Sequence, residues 1–209
     1  MCGKDRFRNL ALLSAGTLAG TLAGTEAASA EGRNGSEAPK KPNILFFLVD
    51  DLGWSDIGCF GSRFHETPNI DRLAEEGVRF TNAYAACHVS SPTRASLMTG
   101  RYPASIRLTD WLPGRKNWPF QRLLNAPVEQ HLPFEEITVA ETLRDNGYAT
   151  AIIGKWHLGK GDSNPLAHGF DEHIPLGYNE GWPQGYYAPF RLNGYEGEEG
   201  EYLTDVMTR

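Results

Sequence analysis

Asn43 to Val49 form an almost unbroken apolar run, with Lys41-Pro42 before it and Asp50-Asp51 after it. A run without alternation predicts a strand covered on both faces, as in a parallel sheet lying under helices. The period then changes. Between Thr67 and Gly77, Ile70, Leu73 and Ala74 fall on one helical face, with Thr67 placed to cap the helix, Pro68 at its first position and Gly77 at its exit. Val78-Arg79-Phe80 predicts the start of another strand. A second helix is expected from about Ser91-Pro92 to Met98. A third carries capping-box spacing in Thr138 and Glu141 and ends at Asn146-Gly147. Ala149 to Ile153 again reads as a strand and runs into Gly154-Lys155-Trp156-His157-Leu158-Gly159. The order strand, helices, strand predicts an α/β fold with a mostly parallel central sheet flanked by helices. Leu108 to Pro133 follows neither period and carries Pro and Gly at several points, as a surface excursion or the rim of a site does. Residues 174–209 are rich in Gly, Tyr and Glu, and Tyr202 to Arg209 read as the beginning of a helix.

The first thirty residues differ from the rest. Lys4, Arg6 and Arg8 precede the Leu-, Ala-, Gly- and Thr-rich stretch Leu10 to Ala23, and Ala28-Ser29-Ala30 follows. That order predicts a signal peptide over 1–30 and an exported protein, periplasmic or extracellular. Residues 31–42 then form a leader. The apolar part is too short and too interrupted for a permanent membrane span. Cys59 and Cys87 remain after cleavage, and export permits a disulfide between them. The chain of 209 residues carries 20 Lys and Arg against 26 Asp and Glu, a formal charge of -6. That balance gives no support to a nucleic-acid partner, though it leaves room for a local cationic pocket.

Three places can carry chemistry. Asp50-Asp51, at the carboxyl end of the first strand, can converge on a hard cation such as Ca2+ or Mg2+, or can simply form a turn. Pro92 near a helix start places Ser90 by exposed N–H groups, which favour an anion, and Arg94 adds a cation four residues on. The plainer reading is a capping serine and a solvent-facing arginine. Lys155 and His157, if extended, reach one side of the chain by alternation, with Trp156 turned to the core. Lys155 can then neutralise an ester oxygen and His157 can move a proton. Alternatively they are a surface lysine and a structural histidine. His65, His88, His131, His168 and His173 lack compact metal spacing, and His168-Gly169-Phe170-Asp171 reads as a packed loop.

Taken together, these segments resemble the formylglycine-dependent sulfatase family of the alkaline phosphatase superfamily. Ser90-Ser91-Pro92-Thr93-Arg94-Ala95-Ser96-Leu97-Met98-Thr99-Gly100-Arg101 is similar to the signature in which Cys or Ser is followed by x-Pro-Ser/Thr-Arg. Lys41 to Gly53 resembles the family's opening strand and metal site, and Gly154 to Gly159 its second signature. The resemblance implies that 43–209 is the N-terminal part of a sulfatase catalytic domain, acting on a sulfated glycan or a small sulfate ester. It implies that Ser90, rather than Cys87, becomes formylglycine, through a radical-type maturating enzyme that accepts serine. Asp50, Asp51 and the modified Ser90 would bind Ca2+, with Mg2+ as the other choice. Arg94 would assist the nucleophile, Lys155 would contact sulfate and His157 the formylglycine hydrate. The second catalytic histidine, a later Asp/Asn pair and another lysine would lie beyond Arg209, leaving these residues alone with little activity. Two other classes remain open: a phosphoesterase using Ser90 directly, and a non-catalytic glycan-binding module using Tyr178, Trp182, Tyr186 and Tyr187.

Overall fold

The computed structural model describes residues 10–12, 41–174, 185–190 and 197–208. The expectations for 1–30 and 31–42 therefore lie almost wholly outside the described residues, as do Tyr178 and Trp182. The chain divides into two compact units, Met1–Tyr84 and Ala85–Arg209.

In the first unit, β1 (Leu10–Leu12) pairs parallel with β2 (Asn43–Leu45), Leu10 opposite Asn43 and Leu12 opposite Leu45. The strand expected over Asn43–Val49 is thus three residues long, and its continuation is uncovered: Phe47 is 63% exposed and Val49 58%. Burial on both faces requires neighbours beyond one three-residue ladder, so an apolar run alone did not determine the strand's length. Helix α1 (Pro68–Glu76) has Pro68 at its first turn and Thr67 in the capping position, as expected. The Thr67 hydroxyl makes no cap bond, however. It accepts from the Gly58 N–H at 2.8 Å and donates to Asp71 Oδ1 at 3.1 Å, while Asp71 Oδ1 also accepts from the Cys59 N–H at 2.6 Å. These bonds tie the 3-10 turn Gly58–Phe60 to α1. A side chain at residue 58 would meet Asp71 Oδ2 at 2.5 Å, so the close approach requires glycine. Ile70 and Leu73 share a face as predicted, but that face is exposed. Val78-Arg79-Phe80 forms no strand. Arg79 instead donates to the Cys59 carbonyl and lies 5.4 Å from the Phe60 ring centroid, so the segment is spent on the turn rather than on a ladder.

The second unit holds α2 (Ser90–Thr99), α3 (Val139–Asp145), the parallel pair β3 (Ala151–Ile153) and β4 (Glu172–Ile174), and α4 (Leu203–Met207). Gly100, at φ 69°, closes α2 by donating its N–H to the Ser96 carbonyl at 2.7 Å. The capping box of α3 is complete: Glu141 N–H donates to Thr138 Oγ1 at 3.1 Å, and Thr138 N–H to Glu141 Oε2 at 2.8 Å. Ala95, Ile106, Leu108, Leu132, Trp156 and Leu158 form the core, with Met98, Ile152 and Phe170 packed against it. Both ends of the 108–133 segment are therefore anchored in the core, while its middle, with Trp118, Phe120, Leu123 and Leu124, is exposed. Leu203 of α4 packs with Ala188 and Phe190.

The parallel pairing agrees with the α/β expectation, but the single large central sheet does not appear. The described residues contain two separate two-stranded parallel sheets. Each ladder is three residues long, and most of the chain between elements runs as loops with their own hydrogen bonds. Cys59 and Cys87 are free thiols rather than a disulfide. Among the described residues, no helix is long and apolar enough to cross a membrane.

Candidate active site

Ser90 is the first residue of α2, after Val89 in the capping position, and no side chain caps this helix end. Ser90, Ser91 and Pro92 occupy the first three helical positions. N–H groups at these positions precede the first intrahelical bond, from Thr93 N–H to the Val89 carbonyl, so a proline at the third, which has no N–H, costs the helix no hydrogen bond. Arg94 lies one turn on, facing Ser90. The plainer alternative, a solvent-facing arginine, does not hold: Arg94 is 9% exposed. Its guanidinium donates through Nε to Ser90 Oγ at 3.1 Å and through Nη1 to the Lys155 carbonyl at 2.6 Å. One arginine thus ties α2 to the loop after β3.

That loop brings His157 to the same oxygen. Its Nδ1 is 3.2 Å from Ser90 Oγ, and its Nε2 is 2.8 Å from the Leu112 carbonyl. A carbonyl can only accept, so Nε2 carries the hydrogen and donates. In the neutral ring Nδ1 is then the acceptor, and Ser90 Oγ–H donates to it. Ser90 Oγ therefore accepts from a guanidinium and donates to an imidazole, an arrangement that draws its proton toward His157.

The route by which Lys155 and His157 reach the site differs from simple alternation. His157 sits at φ 55°, in the left-handed region, which turns the ring out of the extended register. Lys155 contributes its main-chain carbonyl to Arg94. Trp156 is buried as expected, 1% exposed, with Nε1 donating to the Ser163 carbonyl at 3.0 Å. Sequence reasoning gave no role to Ser91 or Leu112. Ser91 is fully buried, and its Oγ accepts from the Leu112 N–H at 3.0 Å. A serine hydroxyl inside a helix start and a leucine inside an irregular segment carry no pattern that announces this contact.

Asp50 and Asp51 belong to the other unit, exposed in the turn five residues past β2, with Asp51 at φ 57°. Their carboxylates are the hard oxygen donors that Ca2+ or Mg2+ takes, so the donor type fits. Two residues fall short of the six to eight oxygens of a Ca2+ shell. No group of three or more His, Cys, Asp or Glu side chains gathers as a metal cluster among the described residues.

The histidine set aside as structural is so. His168 is buried, has its Nε2 hydrogen-bonded with the Ser163 hydroxyl at 3.0 Å, and stacks on Phe134 with centroids 5.1 Å apart. Burial lowers its pKa, with Glu141 opposing and His131 adding to the shift. His173 is also lowered by burial, against a backbone hydrogen bond with Gly154.

Comparison with known proteins identifies the family. The family model described as sulfatase matches residues 42–209. N-acetylgalactosamine-6-sulfatase of Canis lupus familiaris is 40% identical over 167 residues, covering 78% of this chain and 29% of that protein. Steryl-sulfatase of Homo sapiens is 45% identical over 143 residues, 65% of this chain and 24% of that protein. The solved structure of BT4656 in complex with its substrate D-glucosamine-2-N,6-O-disulfate superposes with a TM-score of 0.60 at 33% identity, over 80% of this chain and 29% of that one. The chain spans under a third of the length of these curated relatives.

Proposed function

This chain belongs to the sulfatase family, and on that premise we propose that the protein hydrolyses sulfate esters with the modified side chain of Ser90 as nucleophile. The observation that carries the reading is Ser90 Oγ held between Arg94 Nε at 3.1 Å and His157 Nδ1 at 3.2 Å. Arg94 offsets negative charge on an oxygen at this position, and its second bond to the Lys155 carbonyl keeps it there. His157 accepts the proton of that oxygen through Nδ1 and holds it on a ring fixed from the far side. Lys155 is assigned to sulfate itself by the family resemblance, as a compact charge.

Formylglycine at this position, when hydrated, supplies two geminal hydroxyls, one to attack sulfur and one whose deprotonation later expels sulfate. A serine hydroxyl has no such internal exit, which is why the modification belongs to this chemistry. The family resemblance assigns Asp50 and Asp51 as ligands of Ca2+ (or Mg2+), which would add positive charge for a transferring sulfate. Because the residue is serine, maturation is assigned to a radical-type enzyme, and the basic, apolar N-terminus assigns the protein to an exported compartment. The substrate class is assigned as a sulfated glycan. Support comes from a relative named for N-acetylgalactosamine 6-sulfate and a solved structure with a sulfated glucosamine as its substrate. The steryl-sulfatase relative keeps a small sulfate ester as the competing choice.

The test is peptide mass spectrometry of the full-length protein from its native host, alongside sulfate release from defined glycans. Conversion of Ser90 lowers its mass by about 2 Da. Full activity with an unconverted Ser90, and on phosphate esters, would replace this reading with direct attack by serine.

A further inference from the structure

We infer that Ser91 and the Leu112 peptide form a positioning clamp that selects the tautomer of His157. The chain of contacts is short. Ser91 Oγ takes the Leu112 N–H at 3.0 Å, and the carbonyl of the same residue takes His157 Nε2 at 2.8 Å. Ser91 is fully buried and Leu112 is 6% exposed, so water does not compete for either group. Residue 112 is thus held at both its polar atoms, one by the residue next to the nucleophile and one by the histidine.

The consequence is a division of labour on the ring. With Nε2–H committed to a fixed carbonyl, the neutral ring presents its lone pair on Nδ1, toward Ser90 Oγ 3.2 Å away. The opposite tautomer would set two lone pairs against each other at Leu112 and a hydrogen against the nucleophile's own. A loop histidine without the clamp samples both tautomers and several ring rotations. Adjacent serines therefore divide the work: Ser90 carries the reacting oxygen, and Ser91, which touches neither substrate nor the reacting atoms, sets the partner of that oxygen.

The effect on turnover rests on the sulfatase reading, while the tautomer does not, and this separates the two tests. In full-length protein produced without maturation, so that Ser90 is unmodified, long-range proton–nitrogen NMR with labelled histidine reads the ring directly. His157, assigned by loss of its signals in His157→Gln, is expected to show the proton on Nε2 at a pH where it is neutral. A proton on Nδ1 in the wild type overturns the clamp without any variant. Ser91→Ala is expected to give a mixed tautomer signal, and in the matured enzyme about a 10-fold fall in kcat with KM within twofold. Ser91→Thr, which keeps the hydroxyl, restores the single tautomer and most of kcat. An unchanged tautomer in a folded Ser91→Ala protein overturns the proposal. An Nε2–H ring in a protein that releases no sulfate upholds the clamp and removes the sulfatase reading instead.

Discussion

Replacing Arg94 with lysine keeps the charge and removes the fork. The guanidinium reaches two acceptors in different segments, Ser90 Oγ at 3.1 Å and the Lys155 carbonyl at 2.6 Å, from a site only 9% exposed. An ammonium group on a flexible stem can serve one of them. A hydrogen bond to a charged group contributes about 1.5–3 kcal/mol, so Arg94→Lys should destabilise the protein by about 2 kcal/mol. Arg94→Ala loses both bonds and leaves a void beside Ala95, and about 4 kcal/mol is expected. With a urea m-value of about 2 kcal/mol per molar, the unfolding midpoint should fall by about 1 M for lysine and about 2 M for alanine. Tryptophan fluorescence is a suitable probe because Trp156 lies in the adjoining core. The order wild type, lysine, alanine is the essential result. A lysine variant as stable as wild type would refute the two-acceptor account. Equal losses for both variants would show that the charge and stem that lysine keeps contribute nothing and that the fork's bonds carry the whole effect.

Ser90→Ala should abolish both the mass change at residue 90 and sulfate release, and should lower the melting temperature by a few degrees because Arg94 Nε loses its acceptor; residual turnover above about 1% of wild type would contradict the assignment. Gly169, at φ 96°, would place a side chain 2.4 Å from the Glu141 nitrogen, whereas Gly147, at φ 80°, has nothing within 4 Å. In thermal melts Gly147→Ala should therefore cost about 1 kcal/mol from backbone strain alone, and Gly169→Ala clearly more, through strain and collision together. Stability should also fall with acid. His168 has a pKa lowered in the native state from 6.5, chiefly by burial, so the unfolded chain binds more protons between the two values. Stability is fully present above pH 6.5 and is lost as pH falls from there through the lowered native pKa; His173 acts in the same direction. Urea midpoints measured from pH 7.5 to 5 should show this slope, and His168→Asn should flatten it.

The capping box of α3 was legible because its partners are local: Thr138 and Glu141 find each other three residues apart, and no distant contact is needed. Pro68 and Gly77 marked helix limits for the same reason. The apolar run at Asn43–Val49 named a strand but not its length, since coverage depends on segments remote in sequence. Thr67 had the right residue type at the right place, and tertiary competition from Gly58 and Asp71 took its hydroxyl. At the site, the motif residues Ser90, Arg94 and His157 were identifiable, but their geometry was not. Alternation presumes an extended chain, whereas His157 takes a left-handed backbone and its ring is held by Leu112, 45 residues away in sequence. Leu112 itself had nothing to distinguish it from its irregular neighbours.

Histidine at φ 55° sits in a backbone shape that glycine or asparagine tolerates better. Repeated rounds of mutagenesis scored on heat tolerance alone would therefore be drawn toward His157→Asn or His157→Gly, gaining a relaxed loop and discarding the proton acceptor. A directed-evolution campaign on this protein should lock residue 157 from the outset, because the easiest route to a hardier protein there also removes the group that hydrogen-bonds Ser90.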